Sequence, residues 1–114
     1  MNITIVELPE FIRRSEKLIS AEEHDHLLSF LATNPTAGVL IQGTGGVRKI
    51  RWATGNKGKS GSTRVIYFYH NPNIPLFLLT AYGKSERENL TKAERNELAG
   101  LTKLLVQNYG RKYE

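Results

Sequence analysis

Residues 2–8 alternate, with Ile3 and Ile5 on one side, and stop at Pro9, which predicts a short opening strand. From Pro9 the spacing turns helical. Phe11, Ile12 and Leu18 are apolar, while Arg13, Arg14, Glu16 and Lys17 between them are polar. Ser20-Ala21-Glu22-Glu23 is a capping box, with Ser20 to cap a second helix and Glu23 to reach back to it. That helix carries Leu27, Leu28 and Leu31 on one stripe and is expected to end near Asn34-Pro35. Two such helices in succession predict a hairpin packed on a sheet.

The segment 38–46, GVLIQGTGG, predicts a glycine-punctuated turn. Residues 47–53 then read as a strand that turns Lys49 and Arg51 to one face and Arg48, Ile50 and Trp52 to the other. A basic hairpin loop follows at 54–62, and then a strand rich in β-branched and aromatic residues at 63–70. Asn71-Pro72-Asn73 turns the chain into a third strand, 75–82, whose near-continuous apolar run predicts burial on both faces. A second capping box, Thr91-Lys92-Ala93-Glu94, opens a last helix with Leu98, Leu101, Leu105 and Tyr109 on one face and Gly110 as its expected C-cap. The predicted order is β-α-α-β-β-β-α. With no repeat, linker or low-complexity tract, a single domain over residues 1–114 is expected.

Composition narrows the class. Hydrophobic residues at 39% and charged residues at 24% suit an ordinary globular domain. No apolar run reaches membrane-spanning length, and MNITIVELPEF does not read as a secretory signal, so a soluble cytoplasmic protein with no membrane partner is expected. The chain has no cysteine, which excludes disulfides, thiolate metal sites and cysteine nucleophiles. The net charge of +5 matters less than its distribution. Residues 1–47 hold three basic and six acidic side chains. Residues 48–85 hold seven basic ones (Arg48, Lys49, Arg51, Lys57, Lys59, Arg64, Lys84) and no acid. A one-sign block inside the central fold points to a polyanionic partner, with nucleic acid the default.

Several tempting motifs fall away. Residues 53–60 look like a phosphate-binding loop with Ala53 in place of its first glycine, but such loops run into a helix, and here the continuation is a strand pattern. Gly43-Thr44-Gly45-Gly46 could offer amides to a phosphate, yet a tight turn explains it as well. His24 and His26 point to different sides of a helix and make a poor metal pair. His70, at a strand end, is a weak acid–base candidate.

A metal-dependent nuclease would need carboxylates to hold its cation, and none lies between residues 26 and 85, so no metal or other cofactor is expected at this centre. RNA carries its own nucleophile in the 2′-hydroxyl. Its cleavage requires in-line alignment, a base, and cations on the developing phosphorane and leaving group. Arginine suits the phosphate through its bidentate fork, and a crowded lysine can act as base. The same cluster would serve equally as a passive phosphate-binding surface, and composition does not choose between the two.

The constellation VRKIRWA, STRVIYFY and LTAYGKSE resembles the RelE superfamily of bacterial type II toxins, and most closely its HigB-like branch. The turn IQGTGG leading into RKIR, the Gly/Lys loop, the strand opened by Arg64 and the final YGK all share that likeness, in order, over roughly the whole chain. The resemblance implies an α+β fold: a curved, mainly antiparallel sheet with two N-terminal helices and a C-terminal helix. It also implies an mRNA endonuclease acting in the ribosomal A site, with ribosome and mRNA as partners and a cognate antitoxin, of helix-turn-helix, HigA-like type, as inhibitor. By position it implies Lys49 and Arg51 as the paired basic residues of the first central strand, Arg64 as the arginine on the scissile phosphate, and Lys84 as the lysine of the family's GK. These four are the catalytic candidates. Arg64 is expected to project its guanidinium from the sheet end toward the basic cluster.

The RNA- and rRNA-binding candidates are Arg48, Lys57, Lys59, Tyr82 and Arg87. Arg87 stands in for the arginine that RelE proper has after its lysine, where this chain has Ser85. RelE also has a C-terminal tyrosine stacking on the substrate base. Residues 86–97 contain none, which leaves Tyr82 and Tyr109 as out-of-position substitutes. The alternative is a non-catalytic RNA- or ribosome-binding module of the same fold. A DNA-binding regulator is disfavoured, because the basic residues cluster on strands and a loop and not on a recognition helix.

Overall fold

The computed structural model describes residues 3–52, 62–87 and 89–112. The elements are β1 (Ile5–Glu7), α1 (Pro9–Leu18), α2 (Ala21–Thr33), β2 (Val39–Leu40), β3 (Val47–Trp52), β4 (Thr63–Phe68), β5 (Leu76–Gly83) and α3 (Lys92–Lys112). They build one five-stranded sheet in the order β1-β5-β4-β3-β2. β1 runs parallel to β5 and every other pairing is antiparallel. The α+β class and the mainly antiparallel sheet are as the sequence implies.

One strand was not expected. Val39–Leu40 lies inside the predicted turn, yet pairs with β3 through Val39↔Lys49 and Leu40↔Arg48. Both residues are exposed at the sheet edge, so no pattern of burial marks them in the sequence. The rest of the segment is the predicted turn, with Gly43, Gly45 and Gly46 at positive φ. Thr44 locks it: its Oγ1 donates to Ile41 O at 2.6 Å, and its carbonyl accepts from Thr102 Oγ1 on α3 at 2.9 Å. The tight-turn reading therefore describes this glycine cluster.

The sheet is covered on both sides. Phe11, Ile19, Leu27 and Leu31 of the α1–α2 segment pack on Val65, Tyr67, Leu76, Leu78 and Ala81. On the other face Leu90, Leu98, Leu101, Leu105 and Tyr109 pack with Val47, Ile66, Phe68, Phe77, Leu79 and Tyr82. Every residue of the central strand β4 is buried, and β5 is buried on both faces as predicted.

Both capping boxes form. Ser20 Oγ accepts from Glu23 N–H at 3.1 Å while the Glu23 carboxylate accepts from Ser20 N–H at 2.8 Å. Thr91 and Glu94 repeat the arrangement at 3.1 and 2.8 Å. Gly110 does not end α3, which continues to Lys112 with no positive φ at that glycine. Tyr109 docks edge-on against Phe77, ring centroids 5.1 Å apart, and this packing holds the last turns helical.

A bulge decides what the sheet presents. Ile66 pairs with Thr80 but Tyr67 with Leu78, so Leu79 is an extra residue on β5. Leu76 and Leu78 face α1 and α2, and beyond the bulge Ala81 does so too. Tyr82 is thereby turned to the α3 face.

Candidate nucleic-acid interface

Register builds a row of side chains across the α3 face. Arg51 on β3 lies directly opposite Arg64 on β4, and Arg64 directly opposite Tyr82 on β5. Lys49, two residues from Arg51, lies on the same face, where its Nζ donates to Asn89 Oδ1 at 3.0 Å. The predicted alternation along β3 is correct. Ile50 and Trp52 pack on the opposite face, and Trp52 Nε1 donates to Glu23 O at 3.2 Å. Two arginines facing each other across strands repel, so Arg51 and Arg64 are a poor choice for stability alone.

Arg64 does not project from the sheet end as expected. It is 2% exposed, and its Nη1 donates to Ser62 Oγ at 2.7 Å. Its strand is covered on both sides, which keeps even its long side chain inside. Arg51, by contrast, is exposed.

Tyr82 is fully buried under the guanidinium of Arg87, which sits 4.8 Å from the ring centroid. Arg87 Nη1 also donates to both oxygens of Glu94 at 2.7 Å. The Thr91 backbone N–H, and then Arg87, hold the Glu94 carboxyl below the usual carboxylate range. The centre free of acid in sequence is thus bordered in space by an acid from α3, and that acid is engaged by arginine and backbone. Tyr109, the other aromatic candidate, packs on Phe77 toward the far end of β5.

Lys84 sits exposed on the turn after β5, and among the described residues its ammonium meets no partner. The turn itself is firmly held. Glu86 Oε1 accepts from Gly83 N–H at 2.8 Å, and Arg14 Nη2 from α1 donates to both Glu86 oxygens at 2.8 and 2.9 Å. The Gly83 N–H, and then Arg14, lower the Glu86 pKa. The Lys84 N–H donates to Ser62 O at 3.3 Å, which brings this turn beside the start of β4.

The remaining candidates separate. Arg48 lies on the α1–α2 face, where its Nη1 donates to Thr36 O at 3.1 Å and Gly38 O at 2.8 Å. Lys57 and Lys59, with the loop 53–61, lie outside the described residues. His70 stacks on Phe68, at the other end of β4 from Arg64. At about 3.3 Å per residue that is roughly 20 Å from the arginine row. His24 Nε2 meets Glu7 Oε1 at 2.6 Å, a tie between α2 and β1.

The fold also adds residues to the site that the sequence does not advertise. Asn89 and Arg95 join Lys49 and Tyr82 around one cavity, and Arg14 and Glu86 shape the Lys84 turn. Asn89 carries no motif, and only the nearby capping box hinted that a helix would bring this segment to the sheet.

Among the described residues no helix is long and apolar enough to cross a membrane. Residues 16–112, which contain both the arginine row and the Lys84 turn, match a protein-family model described as the RelE toxin of the RelE/RelB toxin–antitoxin system.

Proposed function

Since the chain belongs to the RelE toxin family, and so is the toxin of a toxin–antitoxin system with an antitoxin as partner, we propose that it is an endonuclease of the HigB-like branch that cleaves mRNA in the ribosomal A site. The observation that carries this reading is the Arg51–Arg64–Tyr82 row with Lys49 beside it on one face of the sheet. The 2′-hydroxyl of one nucleotide attacks the adjacent phosphorus in line. A 2′,3′-cyclic phosphate forms as the bond from phosphorus to the 5′-oxygen of the next nucleotide breaks, and that oxygen leaves as a hydroxyl with a proton from solvent. Arg51 grips the phosphate, and Lys49, once its resting ammonium has given up a proton to solvent, takes the 2′-hydroxyl proton. Arg64, once RNA binding uncovers it, meets the charge that builds on the phosphorane. Lys84, on its braced turn, faces the leaving oxygen or rRNA. Lys57 and Lys59 contact rRNA phosphates, and the cytoplasm, where ribosomes are, is the place of action. A HigA-like antitoxin with a helix-turn-helix fold blocks the basic face.

The test is purified protein added to ribosomes programmed with a defined mRNA. Cuts within the A-site codon, with 2′,3′-cyclic phosphate ends, are expected. The burial of Arg64 favours one other reading, a ribosome-binding module of the same fold without chemistry, since a guanidinium 2% exposed must be uncovered to reach a phosphate. Binding with no cuts at any codon would establish that reading.

A further inference from the structure

A cavity of about 200 Å³ opens beside Lys49, lined by Ile41, Lys49, Tyr82, Asn89, Leu90 and Arg95. Asn89 and Arg95 have no part in the phosphate chemistry above. Their hydrogen-bonding capacity is specific. The Lys49 ammonium can only donate, so the atom of Asn89 that meets it at 3.0 Å is the amide oxygen. That leaves both hydrogens of the Asn89 amide nitrogen. Arg95 uses Nη1 on Leu90 O at 2.9 Å and keeps the rest of its fork. Lys49 retains two of its three N–H groups. The polar groups that these three side chains offer to a ligand are therefore donors, set against the apolar carbons of Ile41 and Leu90.

We propose that this cavity is a base-recognition subsite that takes a guanine of the bound RNA by the edge carrying N7 and O6. The inference rests on the reading that the α3 face binds mRNA. Guanine is the base whose major-groove edge presents two acceptors side by side, the pattern that Arg and Lys read best. Adenine would bring its N6 amino group, and cytosine its N4 amino group, against donors. Uracil offers a single acceptor there. A phosphate would also accept from these groups. Its place, however, is the arginine row, and Ile41 and Leu90 offer a flat ring apolar contact that a hydrated ion cannot use. The cavity is also open to a polymer. Ile41 and Arg95 are shared with a second cavity of about 580 Å³ that continues along Gln42, Lys92 and Asn96. A strand leaving the subsite would run along that basic groove.

The test reads the subsite without relying on cleavage. Isotope-labelled protein is titrated with 5′-GMP, 5′-AMP and inorganic phosphate, following the Asn89 side-chain amide and Leu90. GMP should shift these signals at about one-tenth to one-hundredth of the AMP concentration. Asn89→Asp, which puts an acceptor where the amide donated, should move the preference toward AMP. Arg95→Gln should shrink the GMP advantage without removing the fold. In parallel, ribosomes programmed with codons differing at one base should be cut fastest where guanine fills the subsite, and Asn89→Asp should level that difference. Equal responses to GMP and AMP, or a response that phosphate alone reproduces, would overturn the proposal. GMP selectivity with no cleavage of any codon would support the subsite and remove the endonuclease reading instead.

Discussion

Strand β3 carries the same chemistry to two opposite fates. On the α1–α2 face Arg48 reaches the carbonyls of Thr36 and Gly38. Tyr67 ties down the same stretch: its hydroxyl accepts from Gly38 N–H at 2.8 Å and donates to Pro35 O at 2.9 Å. On the α3 face Lys49 and Arg51 lie beside Arg64, with Lys49 donating to the Asn89 side chain and Arg64 to the Ser62 hydroxyl. One face spends its cation on the backbone and the other gathers cations against one another. A run of basic residues in a sequence thus mixes braces with binding groups, and strand register separates them.

The two faces of the sheet differ most sharply at Arg64. If it meets charge that develops only in the transition state, Arg64→Ala should slow single-turnover mRNA cleavage on programmed ribosomes by about 10²–10³, with ribosome affinity nearly unchanged. Arg64→Lys should restore little, because a point charge cannot reproduce the fork. Near wild-type cutting by bound Arg64→Ala would move the chemistry to Lys49, Arg51 or Lys84.

Arg48 should give the opposite result. Arg48→Met removes two charge-assisted bonds to backbone carbonyls, which puts the loss at about 2 kcal/mol of stability. Urea denaturation should show a lower midpoint at an unchanged slope. Cleavage per folded molecule should stay at the wild-type level. A selective loss of cleavage with no change in midpoint would return Arg48 to the binding surface.

These two arginines mark where the sequence is legible. The charge block and the alternation along β3 are visible in it, and so are both capping boxes, because each depends on residues a few positions apart. What it hides comes from tertiary pairing. The bulge at Leu79 turns Tyr82 to the α3 face, and no local spacing announces it. β2 has two exposed residues and no periodicity to detect. Gly110 has the composition of a helix stop, but the docking of Tyr109 on Phe77 overrides it. Burial of Arg64 follows from β4 being the middle strand, a fact that only the sheet order supplies. Asn89 and Arg95 enter the site from the far side of the chain, 40 residues and more beyond Lys49.

A third kind of basic residue tests how the surface is divided. Lys57 and Lys59 fall in the sequence between β3 and β4 and lie outside the described residues. If they touch rRNA phosphates, replacing both with alanine should lower the slope of log affinity against log salt by about two. Ribosome affinity at moderate salt should fall severalfold while single-turnover cleavage at saturating ribosomes holds. A fall in that saturated rate would draw the loop into the chemistry.

The smallest effect belongs to Glu94, the acid that borders the basic face. Its pKa is lowered in the folded protein, first by the Thr91 N–H and then by Arg87. A carboxyl with a depressed folded pKa binds its proton more tightly in the unfolded chain. Its contribution to stability is therefore complete above the unfolded pKa and lost as pH falls through the lowered folded value. The Glu94 side chain is 33% exposed, so water screens its pair with Arg87, and Glu94→Gln should cost at most about 1 kcal/mol at neutral pH. The capping geometry survives, since glutamine also serves at that position of a capping box. The informative quantity is the difference between wild type and Glu94→Gln as a function of pH. It should shrink toward zero below the usual carboxylate range, where the wild-type side chain is itself neutral. Arg87, released from Glu94 in the variant, keeps its place over the Tyr82 ring, and salt should then weaken RNA binding more steeply because one more cation faces the nucleic acid. A stability difference that persists unchanged into acid would mean that Glu94 matters through packing and not through its charge.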